Sequence, residues 1–151
     1  MDLIVHVPGD LALMECLKAD GPADRRHAIT FARNREALSH ALRNCLTGET
    51  VVLYFAVDEA DMAYLRSLQD VLFSVRLMLI LASRKCLLIT AAWALRPRMI
   101  LYRDMGAAAI AEIVRKTVLS DRSRPPRGAV RFDAIRTVKT CNLSEKRKDI
   151  P

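Results

Sequence analysis

The chain has 151 residues, a formal net charge of +7, a hydrophobic fraction of 52% and an aromatic fraction of only 5%. That length suits one ordinary domain and excludes two comfortable ones. A sizeable core is available, but with so few aromatics it must be built from Leu, Ile, Val, Ala and Met.

Taken in chain order, residues 3–7 form a short apolar run closed by Pro8-Gly9, a strand followed by a breaker. Asp10 can cap a helix running to about Ala19, with Leu11, Leu13, Met14 and Leu17 on its apolar side. Asp20-Gly21-Pro22 stops it, and residues 27–32 read as a second strand. Asn34 is an N-cap candidate for a helix over 35–46, where Ala37, Leu38, Ala41, Leu42 and Cys45 recur at helical spacing and Gly48 lies just past the end.

Residues 50–57 are continuously apolar, β-branched and aromatic, and too short for a typical helix. Such a run suits a strand buried on both faces of a parallel sheet. Met62, Leu65, Leu68 and Leu72 predict a helix over 60–72, and residues 76–82 another buried strand. Residues 86–95 predict a helix that is apolar nearly all round, ended by Arg96-Pro97. Residues 99–102 give a last short strand. Residues 105–119 give a last helix with Ile110, Ile113, Val114 and Val118 on one face.

Five strands alternating with five helices require right-handed crossovers and a parallel sheet covered on both faces. The expected fold is α/β and flavodoxin-like, a three-layer sandwich with a five-stranded parallel sheet in the order 2-1-3-4-5. The expected domain spans residues 1–120. Residues 121–151 are expected to be a mostly extended or disordered tail, with enough alternation over 130–138 to suggest a marginal strand. The tail holds Arg122, Arg124, Arg127, Arg131, Arg136, Lys139, Lys146, Arg147 and Lys148 against Asp121, Asp133, Glu145 and Asp149. Its net charge is therefore +5, which leaves +2 for everything before it.

Cys16, Cys45, Cys86 and Cys141 are widely separated and form no CxxC pair, and no histidine lies near enough to complete a local zinc site. No signal peptide is read at the start, so free thiols in a reducing cytoplasm are expected. The apolar stretch 77–95 carries Arg84 and Lys85 at its centre. Each would cost roughly 2.5–3.5 kcal/mol at mid-bilayer, so a strand, a turn and a buried helix explain it better, and no membrane association is expected.

The third unit, Thr50-Val51-Val52-Leu53-Tyr54-Phe55 leading into Tyr64-Leu65-Arg66-Ser67-Leu68, resembles the receiver domain of response regulators (CheY-like). So does the last, Met99-Ile100-Leu101-Tyr102-Arg103 leading into Ile110-Ala111-Glu112-Ile113-Val114. The resemblance covers roughly residues 2–119. It implies an acidic pair after the first strand to hold Mg²⁺, a phospho-acceptor aspartate ending the third, a Thr or Ser ending the fourth and a Lys ending the fifth. This sequence instead has His6, Val7 and Pro8 at the acidic pair. It has Leu53, Tyr54 or Phe55 at the acceptor, Ser83 at the hydroxyl position and Arg103 in place of the lysine. Arg keeps the charge as a planar fork, not a mobile point charge.

The resemblance therefore implies a degenerate pocket of His6, Asp10, Asp58, Ser83 and Arg103, and a pseudo-receiver that binds a protein partner without catalysis or cofactor. The alternative is a divergent active receiver with a displaced Mg²⁺ site formed by Asp10, Asp58, Glu59 and Asp61, and Asp58 as acceptor. Against it, such acids at helix starts ordinarily cap and meet the helix dipole. His6 and His27 could be sheet neighbours able to sense pH, though a structural role is expected, and His40 lies on a polar helix side. The nearly all-apolar helix at 86–95 carries the only Trp. By the same resemblance, a homodimer through Leu88, Ala92, Trp93 and the last helix is favoured, and cover within its own chain is the alternative. The basic tail allows nucleic-acid binding, with a soluble charged extension as the more ordinary role.

Overall fold

The structure is a computed structural model and describes residues 2–19, 28–45 and 49–120. Five strands form one parallel sheet: β1 (Asp2–His6), β2 (Ala28–Phe31), β3 (Val51–Ala56), β4 (Arg76–Leu81) and β5 (Met99–Tyr102), in the order β2-β1-β3-β4-β5. The helices are α1 (Leu11–Ala19), α2 (Arg35–Asn44), α3 (Glu59–Ser67), α4 (Gln69–Leu72), α5 (Cys86–Ala94) and α6 (Ala107–Ser120), with a 3-10 turn at Arg103–Met105. This is the flavodoxin-like, CheY-like three-layer sandwich that the alternating pattern predicts.

All six residues of β3 are buried, as a continuous apolar run in a two-sided sheet requires. Because side chains alternate along a strand, β3 feeds two separate cores. Val52, Tyr54 and Ala56 join Leu38, Leu42, Met62, Leu65, Leu88 and Ala92 on one face. Val51, Leu53 and Phe55 join Leu13, Leu17, Ile110, Val114 and Val118 on the other. Thus α2, α3, α4 and α5 cover one side of the sheet, and α1 and α6 the other.

Three sequence expectations are corrected. Leu11 is 71% exposed, and α1 buries only Leu13 and Leu17. The single helix expected over 60–72 is broken at Leu68, whose N–H donates to the Leu65 carbonyl three residues back. There Ser67 Oγ donates to the Tyr64 carbonyl at 2.6 Å, a local hydrogen bond that competes with the helical ladder. In the apolar helix α5, Leu88 and Ala92 are buried in the chain's own core, so two of the three candidate interface residues face inward. Trp93, 61% exposed, remains on the surface, and Leu87 joins it at 73%. His27, Gly48 and the tail 121–151 lie outside the described residues.

Turn chemistry sets the ends of the elements. Arg96 adopts φ +50°, the left-handed conformation common just after a helix, and Pro97 then prevents continuation. Gly106 takes φ +87° between the 3-10 turn and α6. Leu65 is wholly buried where α3 meets β3. Leu65→Ala is expected to cost about 2–5 kcal/mol, read as a lower urea midpoint at unchanged slope.

Candidate functional site

In an open parallel sheet the loops at the C-terminal ends of the strands form the usual ligand edge. Here β1 ends at His6 and turns through Val7, Pro8 and Gly9 to Asp10. β3 ends at Ala56 before Val57 and Asp58, β4 leads into Ser83, and β5 leads into Arg103. His6 pairs in register with Tyr54, and Phe55 with Ile80.

Two of the sequence candidates for the acceptor position point to opposite sides of the sheet. Phe55 lies on the α1/α6 side, 4% exposed, and the Arg103 guanidinium carbon sits 5.8 Å from its ring centroid. The Arg103 cation therefore meets an aromatic ring near the end of β3, and a cation over such a ring is favourable. Tyr54 points the other way and is fully buried.

A buried phenol needs a partner for its hydroxyl, and Tyr54 finds one in α3. Its hydroxyl donates to Asp61 Oδ1 at 2.8 Å. The same oxygen accepts from Arg35 Nη2 at 2.9 Å, and Asp61 Oδ2 accepts from the Val57 N–H at 2.9 Å. Arg35 lies 5.0 Å over the Tyr64 ring, while the Tyr64 hydroxyl donates to the Arg35 carbonyl at 2.7 Å and accepts from Ser39 Oγ at 2.8 Å. On the sheet side, the His6 ring lies 4.8 Å from that of Tyr54, and its Nδ1–H donates to the Ala32 carbonyl at 2.8 Å. One network thus ties the end of β1 and β3 to the first turns of α2 and α3.

Electrostatics follow from that packing. Burial pushes the Tyr54 hydroxyl well above its ordinary value, and the hydrogen bond and charge of Asp61 push in the same direction. Burial alone would raise Asp61, but hydrogen bonds from Val57, Arg35 and Tyr54 outweigh it and hold the carboxyl below the ordinary Asp range. Asp61 was expected as a solvated first-turn acid; it is instead the half-buried hub of the network. A Tyr in a strand buried on both faces, seven residues before an acid, was the available sequence signal.

The remaining candidates are distributed as follows. Asp58 is the N-cap of α3, its Oδ1 accepting from the Asp61 N–H at 3.0 Å. Asp10 Oδ1 likewise accepts from the Leu13 N–H at 3.1 Å at the start of α1. Each carboxylate serves its own helix. Ser83 is half-buried after β4, and Arg103 is exposed. The neighbouring Arg84 makes two hydrogen bonds to Asp104, at 3.1 and 3.3 Å, and lies 4.2 Å over the Tyr102 ring, clasping the β4–α5 loop to the turn after β5. Among the described residues, no group of three or more His, Cys, Asp and Glu side chains converges as metal ligands. Nor is any helix there long and apolar enough to cross a membrane.

Removing the Tyr54 hydroxyl leaves Asp61 with two of its three donors. Tyr54→Phe is expected to cost about 1 kcal/mol, measured by urea unfolding near neutrality. A carboxyl held below its unfolded value contributes stability that is complete above that value, about 3.9, and is lost as pH falls through the lower folded one. The stability difference between the wild type and Asp61→Asn should therefore be flat above about pH 5 and shrink below about pH 4.

Comparisons with protein-family models and with curated proteins find no significant match. Among solved structures, the chain is similar to the pilus assembly protein CpaE of Caulobacter crescentus CB15, with a TM-score of 0.55, 17% identity and coverage of 77% of this chain and 98% of that one. It is also similar to the signal receiver domain of NarL from Mycobacterium tuberculosis, at 0.54, 15%, 82% and 97% respectively. For the response regulator receiver domain of Rhodospirillum rubrum the values are 0.52, 13%, 82% and 95%. At these identities the likeness is one of fold: the chain shares the architecture of response-regulator receivers and of pilus assembly proteins built on the same sheet.

Proposed function

We propose that this chain is a pseudo-receiver, a signalling or regulatory module that works by binding a protein partner without being phosphorylated. The observation that carries the reading is Phe55 at the end of β3, buried, with Arg103 over its ring. A phenyl ring cannot accept a phosphoryl group, and the candidate carboxylates Asp10 and Asp58 are engaged as helix caps. The Tyr54–Asp61–Arg35 network adds to this, since it engages both oxygens of Asp61 with Tyr54, Arg35 and the Val57 N–H.

Partner binding draws support from α5. Its exposed residues, Cys86, Leu87, Thr90, Trp93 and Ala94, include no charged side chain. A helix on the outside of a sheet normally carries a polar stripe, and large exposed apolar side chains mark contact surfaces. The occurrence of the fold in response regulators and in pilus assembly proteins fits a module whose output is an interaction.

The test is a titration with Mg²⁺ and beryllofluoride, a phosphoryl mimic, followed by Trp93 fluorescence and amide NMR. The pseudo-receiver gives no saturable change at millimolar ligand. Shifts centred on Asp10, Asp58, Ser83 and Arg103 would instead establish a displaced phosphorylation site, and their loss in Asp58→Asn would identify the acceptor.

A further inference from the structure

Helix α5 presents one continuous uncharged face. At about 100° per residue, Trp93, Cys86, Thr90, Ala94 and Leu87 fall within an arc of about 120°, opposite the buried Leu88, Ala92 and Leu95. Leu87 and Trp93, 73% and 61% exposed, stand towards its two ends, with the smaller Thr90 between them. A cation borders each end. Lys85 is the N-cap of α5 and Arg96 follows its C-cap, both exposed and about three turns apart along the helix. Nearby charges offset one another. Arg84 is engaged by Asp104. On α3, packed beside α5, Asp61 is engaged by Arg35, while the exposed Glu59 and Arg66 balance.

We propose that this face binds an amphipathic helix of a protein partner, with acidic residues at both ends of the partner's apolar stripe. The proposal rests on the partner-binding part of the function proposed above. Backbone chemistry selects a helix. The N–H and C=O groups in the middle of α5 are used within α5 itself, and Thr90 carries the one hydroxyl of the exposed arc. An extended segment laid on this face would lose water from its own backbone groups and gain nothing for them. A helix arrives with its backbone already paired. Thr90, between Leu87 and Trp93, leaves room for a large apolar side chain of such a helix to seat. Charge selects the partner's ends. A second copy of this chain, packed with α5 along α5, would set Lys85 and Arg96 against the same cations in either direction. Carboxylates in those places pair with them instead. A lipid surface is poorly served, because only two side chains of the arc are large and apolar.

The experiment is selection, against the full chain, from a display library of amphipathic Leu- and Ala-based helices of about 20 residues. Positions at the two ends of the apolar stripe are randomised among Glu, Lys and Ser. Expected is enrichment of Glu at both ends, and a blue shift of Trp93 emission when the selected peptide binds in solution. Leu87→Asp should weaken that peptide about 10-fold or more. Lys85→Glu/Arg96→Glu should turn the selection towards Lys-ended helices. Urea unfolding of both variants separates lost binding from lost folding. Enrichment of neutral or Lys-ended helices by the unaltered chain overturns the proposal, as does binding that Leu87→Asp leaves unchanged. Dimerisation in sedimentation equilibrium that Leu87→Asp abolishes overturns it in favour of a second copy. Binding to phosphatidylserine vesicles with no helix selected overturns it in favour of a lipid surface. A chain that selects no helix yet stays silent towards Mg²⁺ and beryllofluoride loses this partner and keeps its phosphorylation-independent reading. Saturable beryllofluoride shifts beside Glu-ended selection do the reverse.

Discussion

The constraint on which the rest of the structure depends is the burial of β3 between two layers of helices. A strand covered on both faces can carry a polar side chain only if the chain itself supplies its hydrogen-bond partner. β3 carries one such residue, Tyr54, and its demand is met by Asp61 from the next helix. That choice propagates outward. Asp61 draws Arg35 from α2, Arg35 packs on Tyr64, and the His6 ring closes the inner side. The network thereby ties two strands and two helices together.

The C-terminal edge of the sheet is a coherent surface in its own right. Arg103 lies over the ring of Phe55, and Ser83 is half-buried in the loop after β4. Burying a lone carboxylate at Phe55 would be costly without a metal or a paired cation, whereas an aromatic ring is at home there and still attracts the guanidinium above it. The second clasp, Arg84 between Asp104 and Tyr102, fastens the loops on the other side of the edge. The C-terminal edge is thus held by fixed contacts, while the uncharged exposed residues of α5 face outward.

The sequence by itself determined the class of fold and the order of elements. Alternating apolar runs of strand length and amphipathic segments, punctuated by Pro8-Gly9 and Arg96-Pro97, permit few arrangements other than a doubly covered parallel sheet. The helix starts at Asp10 and Asn34 were equally legible, because a short polar side chain before an apolar repeat satisfies the free N–H groups of the first turn. Local rules reach that far because they depend on neighbours three or four residues away.

Only the tertiary structure decided which face each residue serves. It set Tyr54 and Phe55, adjacent in sequence, into different cores, so that Phe55 became the residue under Arg103 and Tyr54 the anchor for Asp61. It turned Leu88 and Ala92 inward and Leu87 and Trp93 outward on a helix whose composition offers no polar face to decide the matter. It also broke the helix at Leu68 with a serine hydrogen bond that periodicity does not register. The physical reason is common to all three. A periodic pattern specifies that a face is buried, but which neighbour covers it depends on strand order, register and hydrogen-bond partners brought together from distant parts of the chain.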